Sequence, residues 1–317
     1  MRISRREFIT TASATTAGVA ISQSLLSNPL GTIASPQPLC AFAKCLQFID
    51  YERLGETLAF AGFNGADLTV RPDGYVSPDK VTTELSKVIK VLKKSGINVP
   101  MITTAITDAD EPLTERILGT ASELGIKYYR TGYFLYDQTK SIRENLDIHK
   151  RSFEKLGNIN RKYGIYGGYQ NHSGTGVGAP VWDLYWLLKD FDPAYIGVQY
   201  DICHATCEGG KSWPLGMKLL AQWIKTTDIK DFIWEKVSNK WQITYLPLGK
   251  GMVDFDAYLR LYKSLNISGP ISLHFEYNLG GAENGKLNPS MSLKDISVYL
   301  KNDDDWFRGK LKEFEIL

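Results

Sequence analysis

The sequence predicts an α/β protein of a single domain, a (β/α)₈ TIM barrel, and three observations carry that prediction. From Leu39 onward, apolar runs of strand length alternate with longer segments of helical period, the pattern of a parallel sheet with helical crossovers. Eight such runs occur, the number that closes a barrel. No glycine-rich phosphate loop follows the first run, where Phe48-Ile49-Asp50-Tyr51 stands instead, which argues against an open doubly wound sheet.

The strands are expected at 41–48, 65–70, 99–104, 128–132, 164–171, 196–201, 226–230 and 271–275. Amphipathic helices are expected at 79–95, 113–124, 142–163, 182–189, 216–223 and 254–265. In the first of these, Val81, Leu85, Val88, Ile89 and Leu92 recur at helical spacing. Gly62, Gly125, Gly164 and Gly269 stand between helix ends and the following strands, where a C-terminal stop belongs. The barrel is expected over 39–290, with a C-terminal helical extension at 291–317. Within that extension Asp303-Asp304-Asp305 reads as a solvated acidic run.

The segment 1–34 stands apart from the fold. Arg5-Arg6 precedes a mild apolar stretch from Thr10 to Leu26, and Thr32-Ile33-Ala34 supplies small residues for cleavage. This pattern predicts a twin-arginine signal peptide and a periplasmic or otherwise exported protein. The stretch is too rich in Thr and Ser for a spanning helix, so no membrane partner is expected after cleavage. Cys40, Cys45, Cys203 and Cys207 form no zinc-type pair and are expected to be small buried thiols. The formal charge of +2 gives no reason to expect a nucleic-acid partner; a homo-oligomer is compatible with the composition.

In a barrel, chemistry gathers at the C-terminal ends of the strands. Of the four histidines, His149 falls on a predicted surface helix, while His172, His204 and His274 fall at the ends of predicted strands five, six and eight. Strand five ends Gln170-Asn171-His172, strand six Asp201-Ile202-Cys203-His204, strand seven Asp228-Ile229-Lys230-Asp231, and strand eight His274-Phe275-Glu276. Alternation along a strand puts Gln170 with His172, Asp228 with Lys230, and His274 with Glu276 on common faces. Carboxylates, amides and imidazoles converging in this way suit a divalent ion such as Mn²⁺, Mg²⁺, Zn²⁺ or Co²⁺.

These strand ends, together with Pro247-Leu248-Gly249-Lys250-Gly251-Met252-Val253-Asp254, resemble the xylose isomerase-like barrel superfamily over about residues 40–290. Many of its members are sugar phosphate isomerases or epimerases. The resemblance implies one divalent metal held by a Glu before Asn-His at strand five, an Asp three residues before a His at strand six, a His before x-Lys-Asp at strand seven and a Glu at strand eight. The matching positions here are Gln170, Asp201, Asp228 and His274, and of these only Asp201 is unchanged. Glu276, two residues on, is the alternative ligand at strand eight.

Such barrels remove a proton from a carbon beside a carbonyl, with the metal stabilising the enolate. The two Glu positions that exchange the proton are both altered here. The candidates to replace them are Lys230, if its pKa is lowered, with Glu276, His172 and His204; the competing reading of Lys230 is a salt bridge to Asp201 or Asp231. In the loop 205–214, Glu208 and Trp213 are candidate sugar contacts, as is Trp234 after strand seven; loop anchoring is the alternative for both tryptophans. Three functions follow: a metal-dependent sugar isomerase or epimerase, a 3-keto-glycoside lyase or hydrolase that uses the same enolisation, and a non-catalytic carbohydrate-binding barrel.

Overall fold

The computed structural model describes residues 37–317; the expected export signal lies outside the described residues. Eight parallel strands close into a barrel. They are β1 (Leu39–Phe42), β2 (Gly65–Val70), β3 (Asn98–Thr104), β4 (Tyr128–Arg130), β5 (Tyr166–Gln170), β6 (Ile196–Asp201), β7 (Ile224–Ile229) and β10 (Ile271–Leu273). A separate antiparallel hairpin, β8 (Asp231–Val237) and β9 (Lys240–Leu246), is inserted after β7.

Around the barrel run α1 (Tyr51–Ala61), α2 (Val81–Lys94), α3 (Pro112–Glu123), α4 (Ile142–Tyr163), α5 (Val181–Leu188), α6 (Ile202–Gly209), α7 (Trp213–Leu220), α8 (Phe255–Ser264) and α9 (Leu293–Glu313). Among the described residues no helix is long and apolar enough to cross a membrane. Helix α2 buries Val81, Leu85, Val88 and Leu92 of the stripe its spacing predicts and leaves Ile89 half-buried. Helix α4 starts at a capping box, in which Ser141 and Glu144 satisfy each other's backbone N–H groups. Gly62 and Gly164 end α1 and α4 at φ of 99° and 59°, a left-handed conformation that costs glycine nothing.

Three boundaries differ from expectation. The first strand stops at Phe42, and Ala43–Leu46 turns as a 3₁₀ helix. Residues 202–209, expected as the end of strand six (to His204) and the start of a loop at 205–214, are helical, because the Asp201 side chain accepts from the His204 N–H and caps α6. The C-terminal segment is no appendage: α9 lies against α1, with Arg308 Nη2 donating to the Gly62 carbonyl at 2.8 Å.

The acidic run is likewise not solvated as a unit. Asp303 and Asp304 are 3% and 1% exposed, and only Asp305 faces solvent, paired with Lys301. Asp303 accepts from the Leu248 N–H at 3.0 Å and from the Tyr277 hydroxyl at 2.8 Å. It thereby ties α9 to the loops after β9 and β10. The cysteines are free, with Cys40, Cys45 and Cys203 buried and Cys207 half-buried.

Candidate active site at the barrel mouth

Strand register builds the site. Parallel pairing sets Gln170 beside Gln199, Asp201 beside Asp228, and Asp228 beside Ser272. All of these residues point into the barrel and are at most 1% exposed. Asn171 staples β5 to β6: its side chain accepts from the Asp201 N–H at 2.8 Å and donates to the Asp201 carbonyl at 2.9 Å.

The four residues expected as metal ligands do converge. Gln170 Nε2 donates to Asp201 Oδ2 at 2.9 Å and to Asp228 Oδ2 at 2.6 Å. Gln199 Nε2 donates to both oxygens of Asp228, at 2.8 and 3.0 Å. His274 Nε2 lies 3.2 Å from Asp228 Oδ1. The expected role of Gln170 does not fit this geometry. Its Oε1 accepts from Arg130 Nη1 at 3.0 Å and from the Tyr133 hydroxyl. A guanidinium has only donors, so Arg130 turns the amide to present N–H, not oxygen, to the carboxylates.

Among the described residues, two donor groups lie close enough together to hold an ion, Asp67 with Asp228 and His274, and Asp201 with Cys203 and His204; within each, the donor atoms lie within 4.8 Å of one another. The first group suits a divalent cation. Neither ring nitrogen of buried His274 makes a regular hydrogen bond, although Nε2 lies 3.2 Å from Asp228 Oδ1 and Nδ1 3.7 Å from Glu276 Oε1. Against burial, Asp228 favours the charged form of His274. A positive charge among these carboxylates is thus favoured, and an imidazole with two carboxylates is a donor set that fits a divalent cation. The second group suits it less. Burial pushes the Cys203 thiol well up, which keeps it protonated, and Lys230 Nζ already neutralises Asp201 Oδ2 at 3.2 Å.

Asp67 was not among the expected residues, nor were Arg130, Gln199 and Tyr133. Asp67 sits on β2, fully buried, and accepts from Thr103 Oγ1 at 2.9 Å and Ser272 Oγ at 3.0 Å. Its signal was available, since it is a lone acid within a strand that is otherwise apolar apart from Thr69.

Lys230 is buried between Asp201 Oδ2 and Glu276 Oε1, each 3.2 Å away. Burial opposes its charge, but the two carboxylates override that and raise it well above the ordinary lysine range. It is therefore a fixed ammonium and does not have the lowered pKa a base would need. Asp231 takes no part in this pair. It faces the other way and accepts from the N–H groups of Phe232, Gly249, Gly251 and Val253, so the Pro247–Asp254 motif is folded around its carboxylate.

Glu276 lies on the same face as His274, as alternation predicts, with Oε1 3.7 Å from His274 Nδ1. Burial would raise its pKa, but Lys230 holds it well below the usual carboxylate range. Its side chain is 18% exposed, whereas those of Asp201 and Asp228 are 0%. The His172 and His204 rings lie with centroids 4.0 Å apart and planes tilted by 41°, and Tyr133 meets His172 edge-on at 5.3 Å. Burial, then Lys230, depresses both imidazoles, His204 strongly. His204 Nδ1 pairs with Ser173 Oγ at 2.8 Å, while His172 is half-buried at the rim.

The expected sugar contacts fare differently. Trp213 is 6% exposed and packs against Tyr258 at 6.4 Å, which makes it an anchor of α7 and leaves it no free stacking face. Glu208 is exposed and accepts from the Gly174 N–H at 2.9 Å, tying α6 to the loop after β5. Trp234 is 40% exposed on the hairpin, outside the polar cluster.

The fold and the cluster together define a (β/α)₈ barrel of the enzyme kind, with its polar centre at the C-terminal strand ends. The chain belongs to the xylose isomerase-like TIM barrel family, whose model matches residues 56–292. A search of curated proteins finds no match. Solved structures of similar fold include an L-ribulose 3-epimerase, at TM-score 0.65 and 14% identity, covering 88% of this chain and 96% of that one. The 3-keto-D-glucoside 4-epimerase of E. coli, in its apo form, aligns at TM-score 0.59 and 13% identity, over 82% and 94%. A xylose isomerase-like barrel protein from Mycobacterium smegmatis, in complex with magnesium, aligns at 0.58 and 16%, over 84% and 97%.

Proposed function

We propose that the protein is a metal-dependent sugar isomerase or epimerase that moves a proton at a carbon beside a carbonyl. One observation carries the reading: Glu276 stands ionised and reachable at the mouth, beside the fixed positive charge of Lys230. A base for this reaction must carry its charge and be open to the substrate. The Lys230 contact keeps Glu276 charged against its burial, at some cost in basicity, and its side chain is 18% exposed where those of Asp201 and Asp228 are 0%. Removing the carbon-bound proton leaves negative charge on the substrate oxygen, and the Lys230 ammonium is placed to stabilise it. Return of that proton by Glu276 to the neighbouring carbon completes an isomer. An epimer needs a proton delivered to the opposite face, and His172, half-buried and neutral, would first have to take one up from solvent to supply it. Asp67, Asp228 and His274 are the residues that would hold a divalent ion, which supplies Lewis-acid polarisation of a substrate oxygen. The fold likeness to two sugar epimerases is in keeping with this reading.

The test is incubation with Mn²⁺ and candidate sugars in D₂O, followed by NMR. Deuterium entering beside the carbonyl, and its loss in Glu276→Gln, is the expected result. If the product is an unsaturated sugar with a released substituent, the same proton removal ends in elimination and the enzyme is a lyase on 3-keto-glycosides. Sugar binding with no exchange for any substrate would rule out catalysis and leave a carbohydrate-binding barrel. We also propose export through Arg5-Arg6: replacing both by Lys is expected to keep the protein in the cytoplasmic fraction, and unchanged fractionation would refute it.

A further inference from the structure

Three cations reach the mouth from three different strands. Lys44 follows β1, Arg71 follows β2, and Arg130 ends β4. All lie against one ring, with Lys44 Nζ, Arg71 Cζ and Arg130 Cζ at 5.9, 5.8 and 5.4 Å from the Phe42 centroid. Phe42 in turn stacks on His274, centroids 4.3 Å apart and planes 21° apart. The cations therefore border the candidate metal centre.

Nearby carboxylates answer their charges only in part: Glu276 attracts all three and Asp67 the two arginines, but among the described residues none of these reaches ion-pair distance. Lys44 and Arg71 are half-buried, and among the described residues neither makes an ion pair. Arg130 is 4% exposed; Nη1 donates to Gln170, but Nε is buried with no hydrogen-bond partner. The nearby acids are engaged elsewhere, Glu276 by Lys230 and Asp67 by two hydroxyls. Burial lowers Lys44, with attraction to Glu276 opposing it and repulsion from Lys230, Arg71 and Arg130 adding to it. Burial and then Arg130 lower Arg71, whereas Arg130 itself, against burial, is raised by its acidic neighbours. Gathering like charges in a partly dry pocket is costly unless an anion completes it. Two guanidiniums offer the forked donors that match a carboxylate or a phosphate.

We propose that Lys44, Arg71 and Arg130, grouped about Phe42, form a subsite for an anionic group on the substrate, a carboxylate or phosphate borne by the sugar. The inference rests on the sugar-enzyme reading above and narrows its substrate class to sugar acids or sugar phosphates.

The experiment is equilibrium binding of D-glucuronate, D-glucose 6-phosphate and D-glucose to the full chain by calorimetry, without turnover. At least one anion is expected to bind about tenfold more tightly than glucose, and the preference should shrink as salt rises. The stronger of the two anions identifies whether the group is a carboxylate or a phosphate. The double variant Lys44→Gln, Arg71→Gln is expected to lose the preference; circular dichroism checks that it remains folded, since both side chains are only half-buried. Equal binding of all three ligands, no binding of either anion, or an intact preference in a folded double variant would overturn the proposal. Because binding is read without chemistry, a failure of deuterium exchange sinks the catalytic reading alone.

Discussion

Asp303→Asn should make the protein more stable at alkaline pH, and the size of the effect follows from where the carboxyl sits. Burial drives the Asp303 pKa from 3.8 up to about 7, against the opposing hydrogen bonds from Tyr277 and Leu248. In the unfolded chain the group ionises near its ordinary value. Between those two pH values the folded state keeps a proton that the unfolded state has lost, so stability falls as pH rises, by ~1.4 kcal/mol per unit. The shift of about three units sets a ceiling of ~4 kcal/mol above pH 7; below about pH 4 both states are protonated and the effect vanishes. Asparagine imitates the protonated acid: its oxygen still accepts from Leu248, and its amide can donate to the Tyr277 oxygen. Urea unfolding of both proteins at pH 5 and pH 8 measures the difference, and every other titrating group cancels in the comparison. The variant's advantage should grow by roughly 3 kcal/mol between the two pH values. Parallel slopes for the two proteins would show that Asp303 is already ionised in the fold and would refute the reasoning.

Lys230→Met strands the Asp201 carboxylate in the core and should cost roughly 3–5 kcal/mol; adding Asp201→Asn should recover much of the lost melting temperature, and strictly additive losses would deny the pair. Gly251→Ala puts a Cβ 2.2 Å from Asp231 Oδ1 and 2.4 Å from the Phe232 carbonyl, so it should cost about 1–3 kcal/mol by overpacking, read as a lowered urea midpoint. Mn²⁺ bound by Asp67, Asp228 and His274 should be lost in Asp228→Asn and should weaken on acidification, because protons compete for the ligands; electron paramagnetic resonance of the free ion reports both. Gln170→Glu removes the N–H group that faces Asp201 and Asp228 and adds a carboxylate oxygen, so the same titration should show tighter Mn²⁺ binding; unchanged affinity would place the ion away from Gln170.

The barrel was legible because each of its elements has one period and one burial pattern. The failures have physical causes. The run Ala41-Phe42-Ala43-Lys44-Cys45-Leu46 is apolar enough for either a strand or a turn of helix, and periodicity alone does not separate them. The hairpin was missed because its turn uses Ser238-Asn239, both at positive φ (49° and 64°), in place of the Asn-Gly signal expected of such turns. Asp303–Asp305 was misread because a charge run looks uniform in one dimension. On a helix the three side chains are spread about the axis, two turning inward and one outward.

The site was legible to the extent that it follows strand alternation, and it went wrong where a role depends on a neighbour across the barrel. Period two placed Gln170, Asp201, Asp228, Lys230, His274 and Glu276 around one centre. What each residue does there is set by partners distant in sequence. Arg130, forty residues before Gln170, decides which end of that amide faces the carboxylates. Glu276, forty-six residues after Lys230, helps decide that the lysine stays charged. Asp67 enters the cluster from the far side of the closed sheet, bonded to Ser272, 205 residues away. Motif positions carry ligand identity only while such neighbours are unchanged. Gln170, held by Arg130, presents N–H groups to Asp201 and Asp228, and it is Asp67 on another strand that joins Asp228 and His274 in the candidate donor group.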